Sequence, residues 1–578
     1  MYSSSLDIPI FDPRSYGTRE RFTRIGNGEL GGKATGLAFI QNFLATELEP
    51  NQFPGIEIGI PTSTVVTTQM FDIFMDRNDL HNIALSDPSD DLIAQAFQKA
   101  ELPTELVEEL KALLDQVHVP LAVRSSSLLE DALYQPFAGV YGTKMIPNNH
   151  LDPNERLHRL AEALKFVWAS AFFHSAKNYI RATSHAVESE KMAVILQEVV
   201  GQRHGDRFYP NVSGVARTYN FYPFGNALPE ESVVNLALGL GKTIVDGGIT
   251  WAYSPAHPKA PPPYGSLRDL LKLSQLQFWA INMGQPPGRN PIAETEFLVQ
   301  ADLEQAENDG TLKNLASTYV ASSDRLRMGI GSPGPRVLDF APLLNLGDIP
   351  FNDMVKELLS LCSDRIGGEV EIEFAMTLKN DHEARLGFLQ VRPTVVSAEL
   401  VVIDAEELDN PDLLVHSHRS MGNGVVDDIR DVVYIKPGVF EARHSRKIAS
   451  EIDRINQSLV EEGRPCLLIG FGRWGSSDPW LGIPVDWGQI SSAKVIVEAT
   501  LPSMNVEPSQ GSHFFHNMTS FGVSYLSVHH SGRRSIGWAW LHRQEVVAET
   551  EHIRHVRLKR PLLVKVDGRN GLAGIWHQ

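Results

Sequence analysis

The sequence predicts a multidomain protein of mixed class, α+β or α/β, with a larger N-terminal region and a smaller mixed α/β domain at the C-terminus. Three observations lead there. At 578 residues the chain is too long for one hydrophobic core. Stretches of helical periodicity alternate with short apolar runs rich in branched residues. Polar signatures suited to phosphate chemistry are confined to the first 400 or so residues and stop near residue 398. A division into 1–200, 201–398 and 399–578 is therefore expected, the last as an acceptor or substrate domain.

Taken in order, Lys33 to Leu48 reads as a helix, because Leu37, Ile40, Leu44 and Leu48 recur at three- and four-residue steps. Gly31-Gly32 precedes it and puts Lys33 at a helix start. Asn154 to Thr183 has the pattern of one long amphipathic helix, with Leu157, Leu160, Leu164, Val167 and Phe172 near one face. Met192 to Val200 is a short apolar run closed by Gly201 and reads as a buried strand. Prolines between Pro255 and Pro263 mark a loop. Gly387 to Arg392 reads as a strand ended by Pro393, and 401–578 as alternating short strands and helices, with Leu562–Val566 one of the strands.

Composition narrows the function classes. Hydrophobic residues are 42% and charged residues 21%, ordinary for a folded protein in water. A net charge of −18 argues against nucleic acid and against anionic membranes as partners. No segment approaches the ~20 apolar residues of a spanning helix, and the first residues lack the pattern of a secretory signal. Cys362 and Cys466 form neither a metal motif nor a disulfide framework, so a cytoplasmic location is expected. Nine Lys/Arg against four Asp/Glu in 531–578 suit either a solvated strand face or a local anion-binding face.

The chemistry-bearing residues form four groups. Lys33 follows two glycines at a helix start, where backbone N–H groups attract phosphate and a lysine adds a mobile charge. The spacing is not that of a Walker loop, and a solvated lysine in a turn is the plain alternative. Arg124 ends the apolar run Leu121-Ala-Val123 and enters Ser125-Ser-Ser127, with Glu130-Asp131 beyond. A guanidinium there can clamp phosphate oxygens, and the hydroxyls and acids can orient it. A structural Arg–Glu pair competes with that reading. Phe137-Ala-Gly139-Val-Tyr-Gly142 is a short loop able to close over phosphates with its N–H groups, or simply a turn. Gly239-Leu240-Gly241-Lys242 adds a further glycine loop. Glu371 and Glu373 share one face of a strand, and Gln390 and Arg392 share one face of the next. Paired carboxylates repel unless a cation sits between them, which points to magnesium and phosphate.

Together these motifs resemble the nucleotide-binding domain of the pyruvate phosphate dikinase and phosphoenolpyruvate synthase family, a variant of the ATP-grasp fold. The resemblance runs from about residue 20 to 396, and Leu196-Gln-Glu-Val-Val200 and Ser213-Gly-Val215 look like the family's strands around the adenine. It implies that Lys33 and Arg124 bind ATP phosphates, that Gly139 lies in the loop covering them, and that Gln197 and Val199 line the adenine pocket. Gly239 and Gly241 would join the nucleotide-binding loops. Glu371, Glu373 and Gln390 would hold Mg²⁺, and Arg392 would stabilise the transferring phosphoryl group.

The sequence departs from the family at three places. Lys242 stands where the family has glutamate after Gly-Leu-Gly, and Glu371-Ile-Glu373 replaces Asp-Ile-Glu. The family's phosphohistidine motif, Gly-Gly-x-Thr-Ser/Cys-His, is absent, and the residues after 398 are too few for the pyruvate-binding barrel. In the C-terminal third, Gly470-Phe-Gly-Arg473-Trp474 to Trp480 and Pro508 to Asn517 are unusually polar and specific. His513 is a candidate phosphoryl acceptor there, weighed against a structural role for His513 and His516; His416 and His418 are weaker candidates. The expected function is an ATP-dependent phosphotransferase of the dikinase type. The acceptor is a histidine, its own or that of a separate phosphohistidine-carrying subunit, or a small molecule, with room for a homo-oligomer. The alternatives are an ATP-grasp ligase working through an acyl phosphate and a non-catalytic nucleotide-binding regulator.

Overall fold

The computed structural model describes residues 8–17, 20–49, 51–130, 138–181, 186–262, 264, 266–396, 401–502, 504, 506, 512–530 and 536–577. Asp131, Phe137 and the stretch 508–511 of the motifs above lie outside the described residues. By its contacts the chain divides into two units. The first is Met1–Thr218 with Val233–Ile244 and Ile249–Pro393; the second is Tyr219–Ser232 with Val245–Gly248 and Thr394–Gln578.

Two sheets position the chemistry of the first unit. One has five strands in the order Phe22–Ile25, Ser63–Val66, Met192–Glu198, Leu121–Ser127 and Thr143–Ile146. Met192–Glu198 sits at its centre because Met-Ala-Val-Ile-Leu is apolar on both faces, and these residues are buried. The other has six strands, ordered Trp251–Tyr253, Val233–Ala237, Val212–Arg217, Val370–Leu378, Ala384–Pro393 and Ile56–Gly59. All nine residues of Val370–Leu378 are buried, the charged Glu371 and Glu373 among them. Pro393 is the last residue of its strand, where the missing N–H costs least.

The expected helix after the glycine pair forms as Gly32–Glu47, with Ala34, Leu37, Ile40 and Phe43 buried. Gly31 must be glycine: its φ is +75°, and a Cβ there would stand 1.8 Å from the Ser126 carbonyl oxygen. Helix Phe351–Ile366 buries one stripe, including Cys362, and stops at Gly367 in the left-handed region. Burial pushes the Cys362 thiol up to about 12.

The long helix expected over Asn154–Thr183 is two helices, Pro153–Ser170 and His174–Arg181. Asp152 caps the first by accepting from the Asn154 N–H at 2.9 Å, with Pro153 at the first position. The second begins where Asp90 accepts from both the backbone N–H and the ring Nδ1 of His174, each at 2.8 Å. A tertiary carboxylate thus diverts an N–H that a continuous helix would use. Ser170, at the end of the first helix, accepts the Gly142 N–H at 2.8 Å and so pins one end of the 138–142 loop.

The second unit centres on a seven-stranded sheet ordered Arg419–Met421, Ser524–Val528, Ala493–Ala499, Cys466–Phe471, Asp431–Ile435, Ile553–Arg557 and Glu545–Glu549. Its four central strands are parallel and adjacent in chain order, with helix Ser445–Glu461 as the first crossover. A four-stranded sheet pairs Leu413–Ser417, Leu572–Trp576, Leu563–Asp567 and Asn423–Val426. The two early segments join this unit through named contacts. Phe221 packs edge-on to Phe515 at 5.5 Å, Arg419 lies over the Tyr222 ring at 5.2 Å, and Arg473 Nη1 donates to the carbonyls of Gly247 and Gly248 at 2.7 and 2.9 Å. Among the described residues no helix is long and apolar enough to cross a membrane.

Candidate nucleotide and phosphate site

Strand register creates the centre of the site. On Val370–Leu378, Glu371 lies directly between Arg217 on one neighbouring strand and Arg392 on the other; Glu373 lies opposite Gln390. Arg392 Nε donates to Glu371 Oε1 at 2.6 Å and its Nη2 to Glu373 Oε1. Arg217 Nη2 pairs with Glu371 Oε2. A bulge after Glu373 shifts the register, the kind of break that re-aims side chains beside functional sites.

Arg124 reaches this cluster from the five-stranded sheet. Its Nη1 donates to Gln197 Oε1 at 3.1 Å and to the Leu389 carbonyl at 3.0 Å, and its Nη2 to Gln390 Oε1 at 3.1 Å. Glu373 Oε2 is 3.9 Å away. Gln197, through Nε2, also donates to Ser63 Oγ at 3.2 Å. Six of the expected site residues, Arg124, Gln197, Glu371, Glu373, Gln390 and Arg392, therefore form one cluster of hydrogen bonds and ion pairs.

Lys33 belongs to a second group next to it. Its Nζ donates to Glu130 Oε1 at 2.6 Å and to Ser125 Oγ at 3.2 Å, and Glu130 Oε2 accepts the Ser127 N–H at 2.9 Å. Ser126 ties the helix start to the strand, accepting from the Ala34 N–H at 3.0 Å and donating to the Leu30 carbonyl at 2.7 Å. Glu130 thus holds Lys33, whereas Gln197 and Gln390 orient Arg124. The groups are joined through the backbone, since Ser125 follows Arg124.

The remaining expected residues lie outside both groups. Gly139 is exposed with a φ of +67°, a conformation that favours glycine. Val199 packs with Met145, Trp279 and Leu298 against an apolar cluster of Phe208, Leu240, Ile281 and Met283. Gly239 has a φ of +82° and accepts from Ser213 Oγ at 2.7 Å; Gly241 has no atom nearer its Cβ direction than Ser213 at 3.8 Å. His513 lies in the second unit, at the first position of helix His513–Ser520, with Ser512 as its cap. A groove of the first unit, about 500 Å³ and lined by Leu44, Leu48, Glu57 and Lys379 among others, shares none of these residues.

Comparison with protein families decides what the cluster belongs to. The family described as pyruvate phosphate dikinase, AMP/ATP-binding domain, matches residues 27–410. That is most of the chain and spans every residue of both groups. This chain belongs to that family. Comparison with curated proteins returned no match. Within this family domain, the cluster sets three guanidiniums, Arg124, Arg217 and Arg392, against two carboxylates, Glu371 and Glu373.

That charge balance bears on magnesium. Both Glu371 oxygens face arginines, and the glutamate side chain is 0% exposed. Drawing it onto a metal would strand Arg217, itself 2% exposed, in the interior. Burial first, with Arg392 adding to it, pulls the Arg217 guanidinium below its ordinary value, and Glu371 opposes that. Glu371 therefore fits a counter-ion to Arg217 better than a metal ligand. Glu373 also faces two arginines, Arg392 at Oε1 and Arg124 3.9 Å from Oε2, but its side chain is 11% exposed, so with Gln390 it fits a divalent ion bound together with phosphate oxygens better than Glu371 does.

Arg217, Lys144 and Glu190 are among the buried ionisable residues that escaped the sequence reading. Arg217 ends the apolar run of Val212–Arg217 as Arg124 ends its own, so the same signal was present for both. Lys144 pairs with Glu296 at 2.7 Å, both side chains nearly inaccessible. Glu190 carries no sequence signal. Burial chiefly pushes its carboxyl up to about 7; the charge of Glu130 adds, and the hydroxyls of Ser127 and Tyr141 oppose. A raised folded value means that Glu190 supports the fold fully below its ordinary value of 4.5, and that this support is lost as pH rises through about 7. Glu190→Gln is expected to raise stability at pH 8 by about 3 kcal/mol and to leave it little changed at pH 4.5. Urea denaturation at the two pH values measures it, and equal effects at both would contradict the assignment.

Proposed function

We propose that the protein is an ATP-dependent phosphotransferase of the dikinase type. It takes Mg-ATP and passes a phosphoryl group to a histidine, on its own second unit or on a separate subunit, or directly to a small acceptor. The observation that carries this reading is the convergence of Arg124 and Arg392 on Glu373 and Gln390, with Lys33 adjacent. Phosphoryl transfer asks a protein mainly for positioning and for cations around the moving charge.

Each residue has a task in that reading. Lys33 and Arg124 take phosphate oxygens, and both are held ready by Glu130, Gln197 and Gln390. Arg392, gripped by two carboxylates, presents a rigid fork to the transferring group. The Gly139 loop covers the phosphates with backbone N–H groups, and Val199 supplies an apolar wall for the base. Glu373 and Gln390 would hold the magnesium ion. When bound, that ion neutralises phosphate charge and aligns the oxygens for displacement. Two buried free cysteines suit a cytoplasmic setting.

A second reading, a nucleotide-binding regulator without turnover, is favoured by the commitment of Glu371 to Arg217. The nucleotide product separates the two. Purified protein with Mg²⁺ and ATP, with and without cell extract as acceptor source, is expected to yield AMP. ADP alone would replace the dikinase step with a kinase or ligase. Intact ATP, together with stabilisation of about 3 kcal/mol at ATP near 100 Kd, would establish the regulator. Self-phosphorylation that persists in His513→Ala would remove His513 as acceptor.

A further inference from the structure

We propose that His444, His552 and Glu551 form a zinc-type metal site in the second unit, with Glu451 as the positioning residue behind His552. The site is independent of the phosphate cluster and of the reaction proposed for it.

His552 is the anchor. It is 1% exposed; two interactions fix it to Glu451, and a third, from Thr550, holds that carboxylate in place. Its Nδ1 meets Glu451 Oε1 at 3.0 Å, its backbone N–H donates to Glu451 Oε2 at 3.1 Å, and Thr550 Oγ1 donates to the same oxygen at 2.5 Å. A ring proton on Nδ1, directed at Glu451 Oε1, leaves the lone pair of Nε2 pointing away from that carboxylate. A carboxylate behind a histidine in this way is how proteins orient and strengthen a metal-binding imidazole.

The atoms facing Nε2 are themselves metal ligands. His444 Nδ1 is 3.4 Å away and Glu551 Oε1 3.8 Å. The first distance is long for a hydrogen bond between ring nitrogens. It matches the edge of a tetrahedron with ligands about 2.0–2.1 Å from the centre, which is roughly 3.4 Å. The carboxylates and ring gathered within 4.8 Å of one another are those of Glu451, Glu551 and His552, and His444 joins them through its approach to His552 Nε2. Glu551 is 62% exposed, so its side chain is free to swing toward the two imidazoles. Its present partner is Lys447, an exposed lysine that water can serve once a metal takes the carboxylate. Two nitrogens and one oxygen suit zinc, and an exposed side leaves a fourth position for water or an anion.

The location supports a ligand site. The Lys436 N–H, just past the carboxyl end of the parallel strand Asp431–Ile435, donates to the His552 carbonyl at 2.8 Å. His444 immediately precedes the crossover helix Ser445–Glu461 that carries Glu451. Open sheets of parallel strands bind ligands outside this edge.

Cobalt(II) is the probe, because it takes zinc's place and absorbs visible light. The full chain, stripped with chelator, is titrated with Co²⁺ and then with Zn²⁺. The expected result is one Co²⁺ per chain with an intense visible band of low coordination number, abolished by one equivalent of Zn²⁺. His444→Ala is expected to weaken binding at least about 100-fold, and Glu451→Gln about 10- to 100-fold with the band retained at saturation. Glu551→Gln, at an exposed position that leaves folding intact, is expected to weaken it about 10-fold. No uptake at micromolar metal would overturn the proposal. So would a band that survives unchanged in both His444→Ala and Glu551→Gln.

Discussion

Arg217→Leu is expected to destabilise the first unit by about 3 kcal/mol, the low end of what breaking a buried ion pair costs. The reason is the register of three strands. Glu371 stands between Arg217 and Arg392, and both it and Arg217 are shut off from water. Removing Arg217 leaves one Glu371 oxygen facing leucine. Arg392 cannot compensate, because its guanidinium already serves Glu371 and Glu373 together. The double variant Arg217→Leu/Glu371→Gln removes both charges and is expected to recover much of the loss, since replacing a buried pair costs far less than breaking it. Urea denaturation of the two variants measures this. A single variant within about 1 kcal/mol of the parent would mean that Arg217 is not the counter-ion of Glu371.

Lys33→Ala and Arg124→Ala are each expected to lower ATP turnover by about 10²- to 10³-fold, the scale of removing one preorganised donor from developing charge. The two residues differ in what their loss leaves behind. Lys33 is the cation beside the buried Glu130, so Lys33→Ala is expected also to lower the melting temperature. Glu130→Gln in the same chain should restore the melting temperature without restoring turnover. Arg124 is hydrogen-bonded by two neutral glutamines and a carbonyl, and Glu373, 3.9 Å from it, keeps Arg392 as its counter-ion, so its replacement should leave the fold intact. Turnover at the parental rate in both folded variants would dismiss the phosphate site. Loss of ATP affinity and turnover together would place both residues in binding as well as in chemistry.

Several features of this arrangement were legible in the residues. The pairing of Glu371 with Glu373, and of Gln390 with Arg392, follows from the two-residue period of a strand. The helix after Gly31-Gly32 follows from its apolar spacing, and the family from motif order. Local periodicity reports only which side chains share a face. It does not report what stands opposite. Arg217 lies more than 150 positions before Glu371 in the chain, and only sheet order makes them neighbours. The same limit explains the helix that divides before His174, because the carboxylate diverting its N–H belongs to Asp90.

What the amino-acid sequence determined by itself is the mixed fold class, the family and the inventory of cations and carboxylates. These depend on residue type and short-range spacing, which are properties of the chain. Tertiary structure alone decided how the charges are distributed: Glu130 with Lys33, Glu371 with Arg217, and Glu451 behind His552. It also decided that 219–232 and 245–248 pack with the C-terminal unit. The physical reason is common to all of these. A buried charge is tolerable only beside its complement, and which complement is near depends on how distant strands and loops come together, not on the order in which they are written.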